Sequence, residues 1–217
     1  MSLAIVALSG GLDSSVAAAV AHKDGHDLAL LHADYGQLTE ERERTAFYQL
    51  ADHFGVSPEL RLVVPIESLK LIGGSSLTDA SIPMESGDLA RTSVPNTYVP
   101  FRNAHLLSAC VSWAEIIKAC HIYVGFVEDD SSGYPDCTLD FLKAFESAAH
   151  FGTLPETKIK LHAPLARKTK AEIIKLGTSL NVPLHLTWSC YRSETVPCGT
   201  CDSCLLRQRG FEQSLEL

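Results

Sequence analysis

The chain has 217 residues, 46% of them hydrophobic and 20% charged, an ordinary balance for a globular enzyme. Its 18 Lys and Arg against 26 Asp and Glu leave a net charge of −8, which removes the general attraction to phosphate backbones that a nucleic-acid binder needs. No apolar run reaches the roughly 20 residues of a membrane-spanning helix, and Met1 to Leu8 lacks the basic start of a secretory leader, so a cytoplasmic protein without membrane or nucleic-acid partners is expected.

Leu3 to Leu8 is a continuous apolar run that stops at a glycine pair, which predicts a buried strand of a parallel sheet. Asp13 to His22 predicts a helix, and Asp27 to His32 a second strand. Thr39 to Phe54 predicts a helix with Thr39 as N-cap and glutamates in its first turn, where the dipole favours them. Leu60 to Pro65 predicts a third strand. Gly73 to Pro100, rich in Ser, Gly, Pro and Thr, has no period and predicts a mobile flap beside a site. Arg102 to Ala119 predicts a helix, His121 to Val127 a strand, Leu139 to Phe151 a helix, Ile159 to Leu165 a short strand and Thr169 to Leu180 a helix. The alternation implies an α/β fold, an open parallel sheet with helices on both faces, over residues 1–183. A small metal-binding element over 184–217 completes the chain.

Ser9-Gly10-Gly11-Leu12-Asp13-Ser14-Ser15 lies between the first strand and the first helix. Adjacent glycines let backbone approach an anion, and the amides that follow point outward from a helix N-terminus. A plain strand-to-helix turn is the alternative. Asp13 would repel phosphate unless a cation such as Mg²⁺ lay between them. No lysine follows the glycines, so this is not a Walker loop, and the dinucleotide spacing is absent too. The string resembles the pyrophosphate-binding loop of the ATP pyrophosphatase (PP-loop) superfamily, whose members cut ATP between the α and β phosphates and transfer AMP to an oxygen. That resemblance implies ATP with Mg²⁺ as cosubstrate, held from Leu8 through Ser15.

Four of the seven cysteines cluster as Cys190-x₇-Cys198-x₂-Cys201-x₂-Cys204. Four soft ligands at this spacing predict a closed structural site, with Zn²⁺ preferred and an iron–sulfur cluster as rival; the ferredoxin continuation of three residues and Cys-Pro is missing. A closed shell leaves no place for reacting water, so the metal is expected to stabilise the fold rather than take part in chemistry, and the element is expected on the back of the catalytic domain. Cys110 and Cys120 read as core residues and Cys137 stays open. The nine histidines are scattered without a ligand pair.

Arg102 precedes a helix and offers a fixed fork for a carboxylate or phosphate. Asp129, Asp130, Tyr134 and Asp136 follow the fourth strand, where open α/β sheets bind ligands. Lys170 opens a helix, which is unfavourable without a nearby anion. Surface ion pairs, an acidic turn and a solvated lysine are the bland alternatives. Taken in order, SGGLDSS, DYGQ, VPFRN, SGYPDC, APL…KTKAE and SCY…CGTCDSCLLR resemble the 7-cyano-7-deazaguanine synthases of queuosine and archaeosine biosynthesis. The resemblance implies a carbon–nitrogen ligase acting on 7-carboxy-7-deazaguanine, ammonia and ATP: adenylation of the acid, an amide, a second adenylation and a nitrile. It implies a homodimer, with Asp13, Lys170 and Arg102 in catalysis and Arg102, Tyr134 and Asp136 on the substrate. Phe101 stands where relatives often have Gly, and Thr138 where Arg is common. Another PP-loop enzyme, such as a tRNA thiolase or a deazaguanine-transferring relative, is the competing reading, and a zinc-ribbon nucleic-acid module the more distant one.

Overall fold

A computed structural model describes residues 2–128 and 133–216. Five strands, β1 (Leu3–Ala7), β2 (Asp27–Asp34), β3 (Arg61–Pro65), β4 (His121–Val124) and β5 (Lys160–His162), form one parallel sheet in the order β3-β2-β1-β4-β5. The apolar runs are continuous because both faces are covered. Ile5, Ala7, Ala29, Leu31, Ile122 and Val124 point to one face, under α4 (Arg102–Ile117) and α5 (Leu139–Gly152). Ala4, Val6, Leu8, Leu28 and Leu30 point to the other, under α1 (Leu12–Lys23) and α2 (Glu40–His53). Outside α1, α6 (Lys170–Ser179) packs through Ile173 and Ile174, and α7 (Asp202–Ser214) lies along α6 with Phe211 in the same cluster. No helix among the described residues is long and apolar enough to cross a membrane.

The expected α/β architecture is present, with local differences. β4 ends at Val124 and β5 spans only Lys160–His162, so the chain leaves the sheet earlier than the apolar runs suggest. Helices α3 (Glu67–Ile72) and α7 were not expected. Thr39 occupies the N-cap of α2 without capping it; its hydroxyl donates to Glu43 Oε1 at 2.6 Å instead. Cys110 is buried, but Cys120 is exposed rather than core, just before β4.

The segment Gly73 to Pro100 is irregular, yet it is docked rather than a free flap. Ser75, Ser76, Thr78 and Thr97 are buried, and Ser76 N–H donates to Asn96 C=O. Gly87 N–H donates to Thr200 C=O, Asp88 N–H to the Asp202 carboxylate, and the Arg192 guanidinium to the carbonyls of Met84 and Glu85. The segment is therefore strapped to the cysteine element. Polar groups that looked like solvated loop are satisfied inside the protein.

Candidate active site

β2 and β3 lie on one side of β1 and β4 and β5 on the other, so the carboxyl ends of β1 and β4 flank the crevice where such sheets bind ligands. A cavity of about 240 Å³ opens there. Leu8, Ser9, Gly11, Leu12, Asp13 and Ser14 line it, while Ser15 is fully buried behind them. Gly10 turns against α2 at φ +82°, where a Cβ would stand 2.6 Å from the Glu43 carbonyl oxygen. The serines fold the loop on itself: Ser14 and Ser15 hydroxyls donate to Gly11 C=O at 3.1 and 2.7 Å, and Ser9 Oγ accepts from Gly11 N–H at 3.2 Å. No side chain caps α1, so its first amides remain directed at the cavity mouth, as an anion needs.

α6 begins with a capping box, Thr169 and Glu172 each accepting the other's backbone N–H. That fixes Lys170 as the first helical residue. Its ammonium reaches both Asp13 oxygens at 2.7 Å, with the lysine side chain 9% and the aspartate 29% exposed. The lysine thus answers an anion, and that anion is Asp13. Its aliphatic stem runs over Gly210 of α7, where a Cβ would stand 2.9 Å from Lys170 Cβ. Arg207, one turn earlier on α7, also lines the cavity. It donates to Thr187 Oγ1 at 2.7 Å, Ser189 Oγ at 3.2 Å and Leu184 C=O at 2.9 Å.

The other end of the cavity is aromatic. Arg102 lies over the rings of Tyr35 and Tyr134, at 5.2 and 5.9 Å, and donates to Tyr35 Oη at 3.0 Å. Tyr134 Oη is 2.9 Å from Thr97 Oγ1. Burial pushes the Tyr35 phenol and the Cys137 thiol each up to about 12. Tyr134 and Tyr191 are raised for the same reason, so all four stay neutral. Asp136 is buried, and its carboxylate accepts the Asn103 N–H at 2.9 Å, at the N-terminus of α4. It holds the helix that carries Arg102, and it is absent from the described cavity lining. Phe101 has φ 57° and ψ 23°, a left-handed geometry that glycine adopts without strain. Thr138 caps α5 by accepting the Phe141 N–H at 3.2 Å. Asp129 and Asp130 lie outside the described residues.

The four sulfur atoms of Cys190, Cys198, Cys201 and Cys204 lie within 4.8 Å of one another. Cys198 and Cys204 Sγ are 3.9 Å apart, against about 3.8 Å for two thiolates on one tetrahedral zinc with bonds near 2.3 Å. Cys190 Sγ accepts the Arg192 and Cys198 N–H groups at 3.4 and 3.3 Å, which suits a thiolate. The donor set fits a structural metal. Its position corrects one expectation: the element is a wall of the cavity, not its back. Trp188, Ser189, Tyr191, Ser203, Leu206 and Arg207, interleaved with the cysteines, all line the cavity, and Trp188 N–H donates to Gly10 C=O at 2.9 Å.

The family described as "Queuosine biosynthesis protein QueC" matches residues 3–215. The chain belongs to the QueC family. A Chlorobaculum parvum protein named 7-cyano-7-deazaguanine synthase is 52% identical over 208 residues, covering 96% of this chain and 91% of that one. A Chloroherpeton thalassium protein of the same name is 49% identical over 211 residues, covering 97% and 92%. Among solved structures, a 4-thiouridine synthetase–RNA complex with bound ATP has a TM-score of 0.55 at 20% identity, covering 99% of this chain and 51% of that one. NMN synthetase from Francisella tularensis has a TM-score of 0.52 at 17% identity, covering 93% and 70%. These two share the fold. Sequence reasoning had missed Glu43, Trp188, Tyr191 and Arg207 as lining residues of this QueC cavity. One signal was available for Arg207: it sits three residues after Cys204, on the same helical face as a ligand.

Proposed function

We propose that this QueC chain converts 7-carboxy-7-deazaguanine and ammonia into 7-cyano-7-deazaguanine at the expense of ATP. The observation that carries this reading is one cavity with two unlike ends, an anion-ready helix N-terminus beside Lys170 and Arg207, and an Arg102–tyrosine wall. A carboxylate is a poor acylating group because its departing oxygen is strongly basic. Transfer of AMP to that oxygen cures this once for the acid and once for the amide. Both rounds place AMP at the same point on the base, so one cavity serves both by positioning and charge stabilisation.

In this reading Leu8 to Ser15 cradle the ATP phosphates, with Lys170 and Arg207 as their cations. Asp13 would share a Mg²⁺ with the phosphates once Lys170 turns to them. Arg102 takes the substrate carboxylate, then the adenylate. Tyr134 packs on the deazaguanine, and Asp136 contributes by holding the start of α4 rather than by touching the ring. Cys190, Cys198, Cys201 and Cys204 would hold a Zn²⁺ that keeps residues 184–217 folded against residues 1–183, so that Trp188, Tyr191 and Arg207 complete the wall.

Exposed Phe101 at the N-cap of α4, Ile116 in α4, Phe151 in α5 and Leu154 just beyond it support a homodimer through that side of the sheet. The acidic charge supports small-molecule substrates over nucleic acid, and kinship with biosynthetic enzymes supports the cytoplasm. The test is phosphorus NMR of spent ATP: AMP and pyrophosphate, formed only with the deazaguanine acid present, are expected. ADP and phosphate would overturn the adenylation mechanism.

A further inference from the structure

Resting on that function, the chemistry demands a base that the residues placed so far do not supply. Ammonia loses one proton in becoming the amide nitrogen, and the amide nitrogen loses two more in becoming the nitrile. All three leave a nitrogen bound to the same carbon, at the Arg102 end of the cavity. We propose that Glu43 accepts these protons.

Glu43 lines the cavity from α2. Its carboxylate is set in place by two neighbours: Thr39 Oγ1 donates to Oε1 at 2.6 Å, and Gln37 Nε2 donates to Oε2 at 3.3 Å. Gln37 is itself fixed, since its Oε1 accepts the Tyr35 N–H at 2.9 Å. Both neighbours are buried. The α2 backbone is tied as well, because only glycine at position 10 fits against the Glu43 carbonyl. Gln37 thus joins the Glu43 carboxylate to the Tyr35 backbone, and the Tyr35 hydroxyl accepts from Arg102 at 3.0 Å, which ties the carboxylate to the end assigned to the reacting carbon.

The other candidates are unsuited. Asp13 is held by Lys170 at 2.7 Å, at the phosphate end. Tyr35 and Cys137 titrate at about 12, so their anions are scarce at neutral pH. Tyr134 is raised also, and the described lining contains no histidine. Glu43 itself is raised above the ordinary carboxylate value by burial, against the opposing pull of Thr39, His32, Arg102 and Gln37, and it acts in turn on the Tyr35 phenol. A raised value makes a carboxylate a better proton acceptor near neutrality.

Ammonia attacks the acyl carbon, the carbon–oxygen bond to AMP breaks, AMP leaves with the electron pair, and the surplus proton passes to Glu43. Glu43 returns it to solvent. After the amide oxygen attacks the α phosphorus and pyrophosphate leaves, Glu43 takes one N–H proton and passes it on. It then takes the second as the carbon–oxygen bond breaks, leaving nitrile and AMP.

The test uses the full-length, metal-loaded protein in single turnovers started from the acid and, separately, from the amide, following pyrophosphate release and product mass. In Glu43→Gln, pyrophosphate release should stay within about threefold of wild type. Amide and nitrile formation should fall about 10²- to 10⁴-fold, the range for losing a general base. The amide-to-nitrile rate, which involves no ammonia, should rise with pH through one ionisation in wild type and in Glu43→Asp, and that limb should vanish in Glu43→Gln. Product formation by Glu43→Gln within about threefold of wild type would overturn the assignment, and so would equal loss of pyrophosphate release. A wild-type rate without that limb would overturn it independently of any variant. A wild-type protein that makes neither amide nor nitrile would instead remove the function on which the assignment rests.

Discussion

Lys170 and Asp13 join α6 to the phosphate loop, and Lys170→Met removes the ammonium while keeping most of the stem. The pair is short, 2.7 Å to each oxygen, and the lysine side chain is only 9% exposed. Losing one partner of a buried pair costs about 3–5 kcal/mol, because a charge is left uncompensated. Asp13 keeps 29% exposure, so water relieves part of that and the lower end, about 3 kcal/mol, is expected. Adding Asp13→Asn removes the stranded charge, and the double variant should regain about 2 kcal/mol relative to the sum of the singles. Urea unfolding of the four proteins measures this cycle. Activity should not follow stability: both Lys170→Met and the double variant should lose about 10²- to 10³-fold, since the phosphates have lost a cation. Strict additivity in the cycle would show that the pair contributes nothing to folding. Recovery of activity together with stability would show that Lys170 acts only as a strut.

Gly210→Ala should push the Lys170 stem off α7, costing about 1–3 kcal/mol, with turnover falling although no cavity residue has changed. Near-native turnover would mean that Lys170 relaxes freely. Cys201→Ser should lose bound metal and folded protein together, because metal binding here is folding free energy, and elemental analysis beside thermal melting checks both. An active, metal-free variant would contradict the fit of the four sulfurs. His162 is held down at about 4 by burial and by neighbouring His121, so the unfolded chain takes its proton first. The stability it contributes is full above about 6.5 and is lost as pH falls from there towards 4. His162→Phe, which keeps the stacking on Tyr123, should flatten that part of the urea-midpoint profile, and an unchanged slope would refute the assignment.

Local chemistry made the phosphate loop legible. Gly10-Gly11 between an apolar strand and an Ala-rich helix admits few conformations, and the amides of α1 end where the motif says they should. The cysteine spacing was legible for the same reason. α7 was not, because its buried positions are Asp202, Cys204, Leu206 and Gly210, which read as ligands and a turn rather than as an apolar stripe. Missing the helix meant missing Arg207 and placing the element behind the domain instead of beside the cavity. Glu43 and Asp136 show the same limit. One looks like a surface glutamate in an acidic helix and the other like a ligand contact, and only the packing of α2 and α4 gives them their surroundings. The histidines teach it again: His121 and His162 are far apart in sequence, and the β4–β5 pairing brings their rings to 5.1 Å.

The most direct test of the account is mass spectrometry of the product formed from 7-carboxy-7-deazaguanine, ATP, Mg²⁺ and nitrogen-15 ammonium. A transient labelled amide followed by a labelled nitrile is expected. A metal-loaded, folded protein that yields neither product would contradict it.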